Sequence, residues 1–305
     1  MVLEKNFLTD TIYDLLVKAA VKIPVDVKKA FLKALETEES EIGREHLKRF
    51  IENIEVAVKE DKIVCPDTGF PIFYVKLGSE IEIEGGHITL KEAFVEGVRR
   101  ATRNGYLRHT MVHPLTRQTS YLNTGTFIPH VEYKPIATDY LEITAVPKGG
   151  GAELFLLQPY KSLLLADGLE GVKKFVIDSV LSACMDGKTC PPNVVGVCIG
   201  GFPDLCLGLA KKAALLRVVG DSHPDKVVSD LELELLEAIN SLGVGPMATG
   251  GRTTAFDVHI ELALTHTASI PTAVTLQCAL TRRATIRVYS DGNVESRSSP
   301  DWFER

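Results

Sequence analysis

The sequence predicts a mixed α/β fold, with a helical N-terminal part followed by a sheet-containing unit that can divide into two lobes. Three observations carry that reading. Leu47, Phe50, Ile51, Ile54 and Val58 recur at spacings of three and four, with Glu and Lys on the opposite face, which is the period of an amphipathic helix. From Phe70 the pattern changes to short β-branched and aromatic runs bounded by Gly, Pro and Asp, which read as strands. Strand-like and helix-like runs then alternate through most of the chain, as they do when helices pack on sheets.

Taken in order, helices are expected over 9–20 and 25–35, split by Pro24, because proline disfavours a helical residue before it. The stripe from Leu47 to Val58 is the third helix. PIFYVKLG and EIEIEGGHITL read as strands with a turn at Gly85 and Gly86, and a helix follows from Leu90 to about Arg103. Residues 104–127 show neither period and hold many polar groups; a loop of this length is functional or disordered. YLEITAVP is a strand running into Lys148-Gly-Gly-Gly151. A helix over Gly168 to Ser182, the loop DGKTCPPN and the short buried strand NVVGVCIGG come next. Pro203 opens a helix to Leu216, and Val228 to Leu242 form another that Gly243 ends. The runs FDVHIELALTHTASIPTAVTLQCAL and ATIRVYSDG are strand-rich, and SRSSPDWFER reads as a polar, loose tail. No internal repeat and no linker stand out.

The 305 residues suffice for a full core in one large or two small domains. A net charge of −6 argues against nucleic acid or an anionic membrane as partner, since both reward a basic surface. The start, MVLEKNFLTD, lacks the apolar core of a signal peptide, and no run reaches the roughly 18 apolar residues of a membrane span. A soluble cytoplasmic protein is expected. The six cysteines (65, 184, 190, 198, 206 and 278) form no CxxC pair and no disulfide framework in a chain of this length. Cys184, Cys198 and Cys206 sit among apolar residues and read as packing groups.

Cys65, Cys190 and Cys278 differ. Cys65 opens IVCPDTGF, where Pro66 pushes it toward an extended conformation and Asp67, Thr68 and Gly69 have turn chemistry. The segment therefore presents a sulfur beside a carboxylate on a rigid loop, or else is a turn with a buried thiol. Cys190 lies in TCPPN and Cys278 ends a strand at QCALTRR. Three thiolates can hold a zinc ion with one open position, or an iron–sulfur cube with one iron lacking a protein ligand. Lys148 to Gly151 can form an anion-binding nest or a hairpin turn. CIGGFPDL lacks a full phosphate-binding signature and reads as packing. Arg108, His109 and Arg117 place cations in the long loop, either to clamp a dicarboxylate or simply in solvent. His259 and His266 fall on expected strands, where a lone histidine is usually a satisfied core group.

Six short motifs, in order, resemble those of the α subunits of class I, iron–sulfur fumarate hydratases and L(+)-tartrate dehydratases. They are Cys65 to Gly69 (Cys-x-Asp-Thr-Gly), Leu107-Arg108 leading to Asn123 to Gly125, Gly149 to Gly151, Thr189 to Pro192, His266 to Ser269, and Cys278 with Arg282 four residues on. The resemblance covers nearly the whole chain. It implies that Cys65, Cys190 and Cys278 bind a [4Fe–4S] cluster whose fourth iron is open to substrate. It implies Asp67 as an acid beside the substrate, Arg108 and the amides near Gly150 and Gly151 as carboxylate binders, and His266 close by. The implied reaction is reversible hydration of fumarate to (S)-malate; dehydration of L(+)-tartrate or another hydroxy-dicarboxylate is the alternative. Residues 1–290 would be the catalytic domain and 291–305 a polar tail. Two positions depart from the family pattern: Pro66 stands where Gln is common, and Ala152 where Ser is usual. Outside this class, a zinc-binding structural or regulatory protein would use the same three cysteines.

In fused relatives a second domain supplies the base, a Thr, and further Arg and Lys contacts. The sequence shows no equivalent segment, so a separate β subunit completing the site is expected, in an α2β2 assembly.

Overall fold

A computed structural model of the chain describes residues 2–120, 122–154, 156 and 158–303. Position 121 of the long loop and the last two residues of the tail lie outside them. The elements in chain order are α1 (Lys5–Val21), α2 (Val25–Thr37), α3 (Glu41–Lys59), β1 (Phe70–Gly78), α4 (Gly86–Arg103), β2 (His130–Ile136), β3 (Tyr140–Lys148) and α5 (Gly150–Leu154). They continue with β4 (Tyr160–Leu163), α6 (Gly168–Met185), β5 (Asn193–Gly200), α7 (Pro203–Leu216), α8 (Lys226–Asn240), β6 (Ala255–Ala263), β7 (Ile270–Gln277), β8 (Ala284–Tyr289) and β9 (Val294–Arg297). The fold is mixed α/β, with three helices before the first strand, and it divides into two compact units.

The first unit comprises Met1–Pro24, Asn53–Gly149 and Arg282–Trp302. Its sheet has the order β2-β1-β3-β8-β9, with β1 parallel to β2 and antiparallel to β3. Leu8, Ile12 and Leu16 of α1 and Phe94 and Val98 of α4 pack on Phe73, Leu141, Ile143 and Ile286 of the strands. The sheet also buries polar residues in register pairs. Arg287 lies opposite Glu142 and donates to its carboxylate at 2.8 Å, and the hydroxyls of Thr144 and Thr285, also opposite each other, are 3.0 Å apart. Over them lies the end of the chain. The Asp301 N–H donates to Glu142 (3.1 Å), Lys134 Nζ donates to the Trp302 carbonyl (2.9 Å), and the Trp302 ring meets Tyr74 edge-on at 5.4 Å. Up to residue 303 the expected loose tail is therefore a structural cover that begins within strand β9.

A second correction falls on EIEIEGGHITL. Its alternation suggests a strand, yet only Ile83 pairs, in an isolated parallel bridge to Leu3. Gly85 and Gly86 take positive φ (71° and 69°) and α4 starts at Gly86, four residues before the expected helix start.

The second unit comprises Val25–Glu52, Gly150–Thr281 and Phe303–Arg305. Its sheet has the order β4-β7-β5-β6, with β5 parallel to β6 and antiparallel to β7. Alternate residues of β5 serve opposite faces. Val195 and Val197 join Phe175, Val176 and Val180 of α6 and Leu235 and Ile239 of α8. Cys198, on the other face, packs with Cys206 and Ala210 of α7, and Gly196 lets α7 approach, since a Cβ there would lie 2.1 Å from the Ala210 carbonyl. Phe31 of α2 packs edge-on against Phe256 of β6 (4.8 Å). The strand–Gly-Gly–helix stretch CIGGFPDL is thus packing, as its sequence suggested. Among the described residues no helix is long and apolar enough to cross a membrane.

Candidate functional site

In the first unit the Cys65–Gly69 loop leads into β1, and its shape has identifiable causes. Gly69 has φ +67°, and a Cβ there would lie 1.9 Å from the Lys148 carbonyl, so backbone conformation and packing both demand glycine. Thr68 is fully buried and its hydroxyl accepts the Arg108 N–H (2.9 Å). Arg108 returns a second bond from Nη1 to the Pro66 carbonyl (2.9 Å). Asn123, buried with φ +51°, accepts from Thr110 (3.0 Å) and Met111 (3.2 Å) and donates to the Arg108 carbonyl (2.6 Å). The sequence loop 104–127 is therefore fastened to the thiol loop. Arg282 completes the arrangement: its Nη2 donates to the Asp67 carbonyl (2.6 Å). A Cβ on Gly149 would stand 3.1 Å from Asp67 Oδ2 and 3.7 Å from Arg282 Nη2, which places the carboxylate beside the first of the three glycines. Cys65 and Asp67 remain half-buried, and Arg108 is exposed.

The second unit holds the other sequence-selected residues. Gly150 and Gly151 open the five-residue helix α5 rather than a hairpin turn. Gly151 has no room for a side chain, because a Cβ would meet the Lys188 carbonyl at 2.6 Å. That contact packs α5 on the loop carrying Cys190, which is exposed. Cys278 follows the last residue of β7 and is half-buried. The Ala279 N–H donates to the Cys190 carbonyl (2.9 Å), so the two cysteine loops are fastened together. The Met247 N–H donates to the Pro191 carbonyl (3.0 Å) and holds the Cys190 loop from its far side. His266 lies in the exposed loop 264–269 between β6 and β7, not on a strand, and its Nδ1 accepts the Ala268 N–H (3.2 Å). His259, by contrast, is fully buried in β6.

Cys65, Asp67 and Arg108 thus share one unit, while Cys190, Cys278, His266, Gly150 and Gly151 share the other. Among the described residues no three His, Cys, Asp or Glu side chains are gathered as a metal-holding group. The donor chemistry nonetheless suits an iron–sulfur cluster. None of the six cysteines is in a disulfide, and the three singled out in the sequence are the accessible ones, whereas Cys184, Cys198 and Cys206 are buried. Burial pushes the Cys184 thiol up to about 12, which keeps it a protonated packing group. Sequence reasoning named Thr189 only as part of the Thr189 to Pro192 motif, and it missed Glu38 and Asn193. Glu38 is fully buried and accepts the N–H groups of Arg252 (2.9 Å) and Thr253 (2.8 Å). Its only sequence signal is a carboxylate between two helices.

Comparison with known proteins fits this picture. Residues 9–287 match the family model described as fumarate hydratase (Fumerase). A Methanocaldococcus jannaschii protein described as "Putative L(+)-tartrate dehydratase subunit alpha" is 43% identical over 289 residues, covering 94% of this chain and 99% of the relative. The L(+)-tartrate dehydratase subunit alpha of Escherichia coli K12 is 32% identical over 296 residues, covering 96% and 94% respectively. The chain belongs to the fumarate hydratase (Fumerase) family and is similar to proteins described as α subunits of L(+)-tartrate dehydratase.

Proposed function

We propose that the chain is the α subunit of an iron–sulfur hydro-lyase that interconverts fumarate and (S)-malate. The observation that supports this most is the Cys65–Gly69 loop, whose backbone is fastened by Arg108 and Arg282 while its thiol and carboxyl stay accessible. Cys65, Cys190 and Cys278 would hold a [4Fe–4S] cluster, and when bound its open iron supplies a Lewis acid for the substrate hydroxyl.

The chain's own groups do the rest. In the dehydration direction Asp67 gives a proton to the departing hydroxyl oxygen; in hydration it takes one from water. Arg108 spends Nη1 on Pro66, and its remaining N–H donors pair with a substrate carboxylate. The amides of Gly150 and Gly151 meet carboxylate charge. His266 accepts at Nδ1, so the neutral ring carries its proton on Nε2, as a donor toward substrate oxygen. A base for the carbon-bound proton is not among these residues, and we assign it to a separate β subunit, with α2β2 symmetry.

A second reading, dehydration of L(+)-tartrate, has a specific support: both relatives carry that name. Pro66, which has no N–H to donate, also alters the substrate contact that the family's Gln makes. An anaerobic assay of the cluster-loaded α chain, with and without its β chain, against fumarate, malate, tartrate and mesaconate separates these. Fumarate hydration only with both chains is expected. Preference for tartrate would replace the substrate, and full activity from α alone would refute the shared site. Colourless, zinc-loaded protein would refute the hydro-lyase reading altogether.

A further inference from the structure

The Cys278 sulfur has a built polar support that the proposed reaction does not use. The antiparallel register of β5 and β7 pairs Val194 with Gln277, and continuing it by one residue sets Asn193 opposite Cys278. Asn193 is fully buried and Thr189 nearly so. The Thr189 hydroxyl lies 2.5 Å from Asn193 Oδ1 and donates to it, and the same oxygen is 3.4 Å from Cys278 Sγ. Asn193 Nδ2 in turn donates to the buried Cys184 sulfur (3.2 Å). The Thr281 hydroxyl donates to the Cys278 carbonyl (3.0 Å). The backbone and the sulfur of Cys278 are therefore held by different side chains.

We propose that Thr189, itself fixed by Asn193, is a positioning residue that selects the side-chain rotamer of Cys278 and so aims its sulfur at the cluster. A thiol at the end of a strand has three staggered rotamers. Because the Thr189 proton goes to Asn193 Oδ1, the Cys278 thiol is the donor and the Thr189 oxygen the acceptor, which in the metal-free chain favours one rotamer by about 1 kcal/mol, roughly a fivefold preference. Polar groups around a cluster sulfur also set its electronic character. Thr189 needs Asn193 because a free hydroxyl rotor would not hold its oxygen in place. This inference rests on Cys278 being a cluster ligand.

The test uses Thr189→Val, which keeps the shape and removes the hydroxyl, and Thr189→Ser, which keeps the hydroxyl. In the metal-free full chain, iodoacetamide alkylation of each cysteine is followed by mass spectrometry. Thr189→Val should raise the rate at Cys278 about fivefold, leave Cys190 within twofold, and be reversed by Thr189→Ser. In the reconstituted protein Thr189→Val should alter the visible circular dichroism of the cluster while iron content stays near that of the parent. An unchanged Cys278 rate together with an unchanged spectrum would overturn the proposal. So would equal acceleration at Cys190 and Cys278, which would mean general loosening. Failure of the ligand reading is distinguishable: Cys278→Ser protein would then still assemble a full cluster.

Discussion

Replacing Glu38 by Gln tests whether a single buried carboxylate holds up the loop that carries Cys190. Oε1 of Glu38 accepts from Glu39 (3.0 Å), Ser40 (3.0 Å) and Arg252 (2.9 Å), and Oε2 accepts from Thr253 (2.8 Å). Gly251 exists beside it for lack of space, since a Cβ there would lie 2.5 Å from Oε1. The segment 245–254 so anchored also donates through Met247 to Pro191, the residue after Cys190. A glutamine keeps the shape but offers one acceptor oxygen. Its best orientation retains the three bonds at Oε1 and turns an NH2 against the buried Thr253 N–H. The loss is one charge-assisted bond plus one stranded donor, about 3 kcal/mol.

The readout is urea unfolding together with amide hydrogen exchange. We expect Glu38→Gln to lower the midpoint and to speed exchange at Thr253 by about 10²-fold, the kinetic equivalent of that energy. A pH series adds a sign. Burial by itself would raise the Glu38 carboxyl, but the N–H groups of Ser40, Thr253 and Arg252 outweigh it and hold the carboxyl below its ordinary value. A depressed folded value means the contribution is complete above the unfolded value and is lost as pH falls through the folded one. The gap between parent and variant should therefore be widest near neutrality and narrow in acid. Unchanged exchange at Arg252 and Thr253 with an unchanged midpoint would refute the anchoring argument.

Cys65→Ser, Cys190→Ser and Cys278→Ser should each lose the iron–sulfur absorption after anaerobic reconstitution, because a hard oxygen replaces a soft thiolate. Cys198→Ser and Cys206→Ser should retain it, and loss in either would redraw the ligand set. Asp67→Asn should assemble the cluster, since the amide keeps the shape of the carboxyl and Arg282 still donates to the backbone carbonyl. Its turnover should fall by about 10²–10⁴-fold, and near-parental turnover would remove Asp67 from the chemistry. Asn123→Ala should release the Arg108 loop and raise KM more than it lowers kcat, as steady-state kinetics of the two-chain enzyme will read; a pure kcat effect would contradict a binding role for Arg108.

How much of this was legible follows from how far apart the interacting residues are in sequence. The helices of the first sixty residues show in the periodicity because each buries its own stripe. EIEIEGG misled because alternation alone cannot reveal that Ile83 finds only Leu3 to pair with. HVEYKPI did not read as a strand because it is an edge strand holding Pro135, a residue that edges tolerate. The tail was misread because its polar composition hides the Trp302 ring packed on Tyr74 and the pairing of β9 with β8. The Cys65–Gly69 motif was legible because its turn chemistry is local. Glu38 was not, since its partners Arg252 and Thr253 lie more than two hundred residues away, and the meeting of Thr189 with Cys278 depends on a strand register no local pattern encodes.

The same device recurs at several sequence-selected loops. A buried polar side chain fastens the backbone beside a candidate site residue. Asn123 ties the Arg108 loop, Arg282 ties the Asp67 carbonyl, Glu38 ties the segment that holds Pro191, and Thr281 ties the Cys278 carbonyl. Each fastening uses buried or nearly buried groups, where hydrogen bonds are strongest and a lost partner costs most. Fastening through the backbone makes these loops rigid before anything binds, which is what electrostatic preorganisation requires. Gly69, Gly149 and Gly151 belong to the same arrangement, since each sits where a Cβ would meet a carbonyl or the Asp67 carboxylate at 3.1 Å or less.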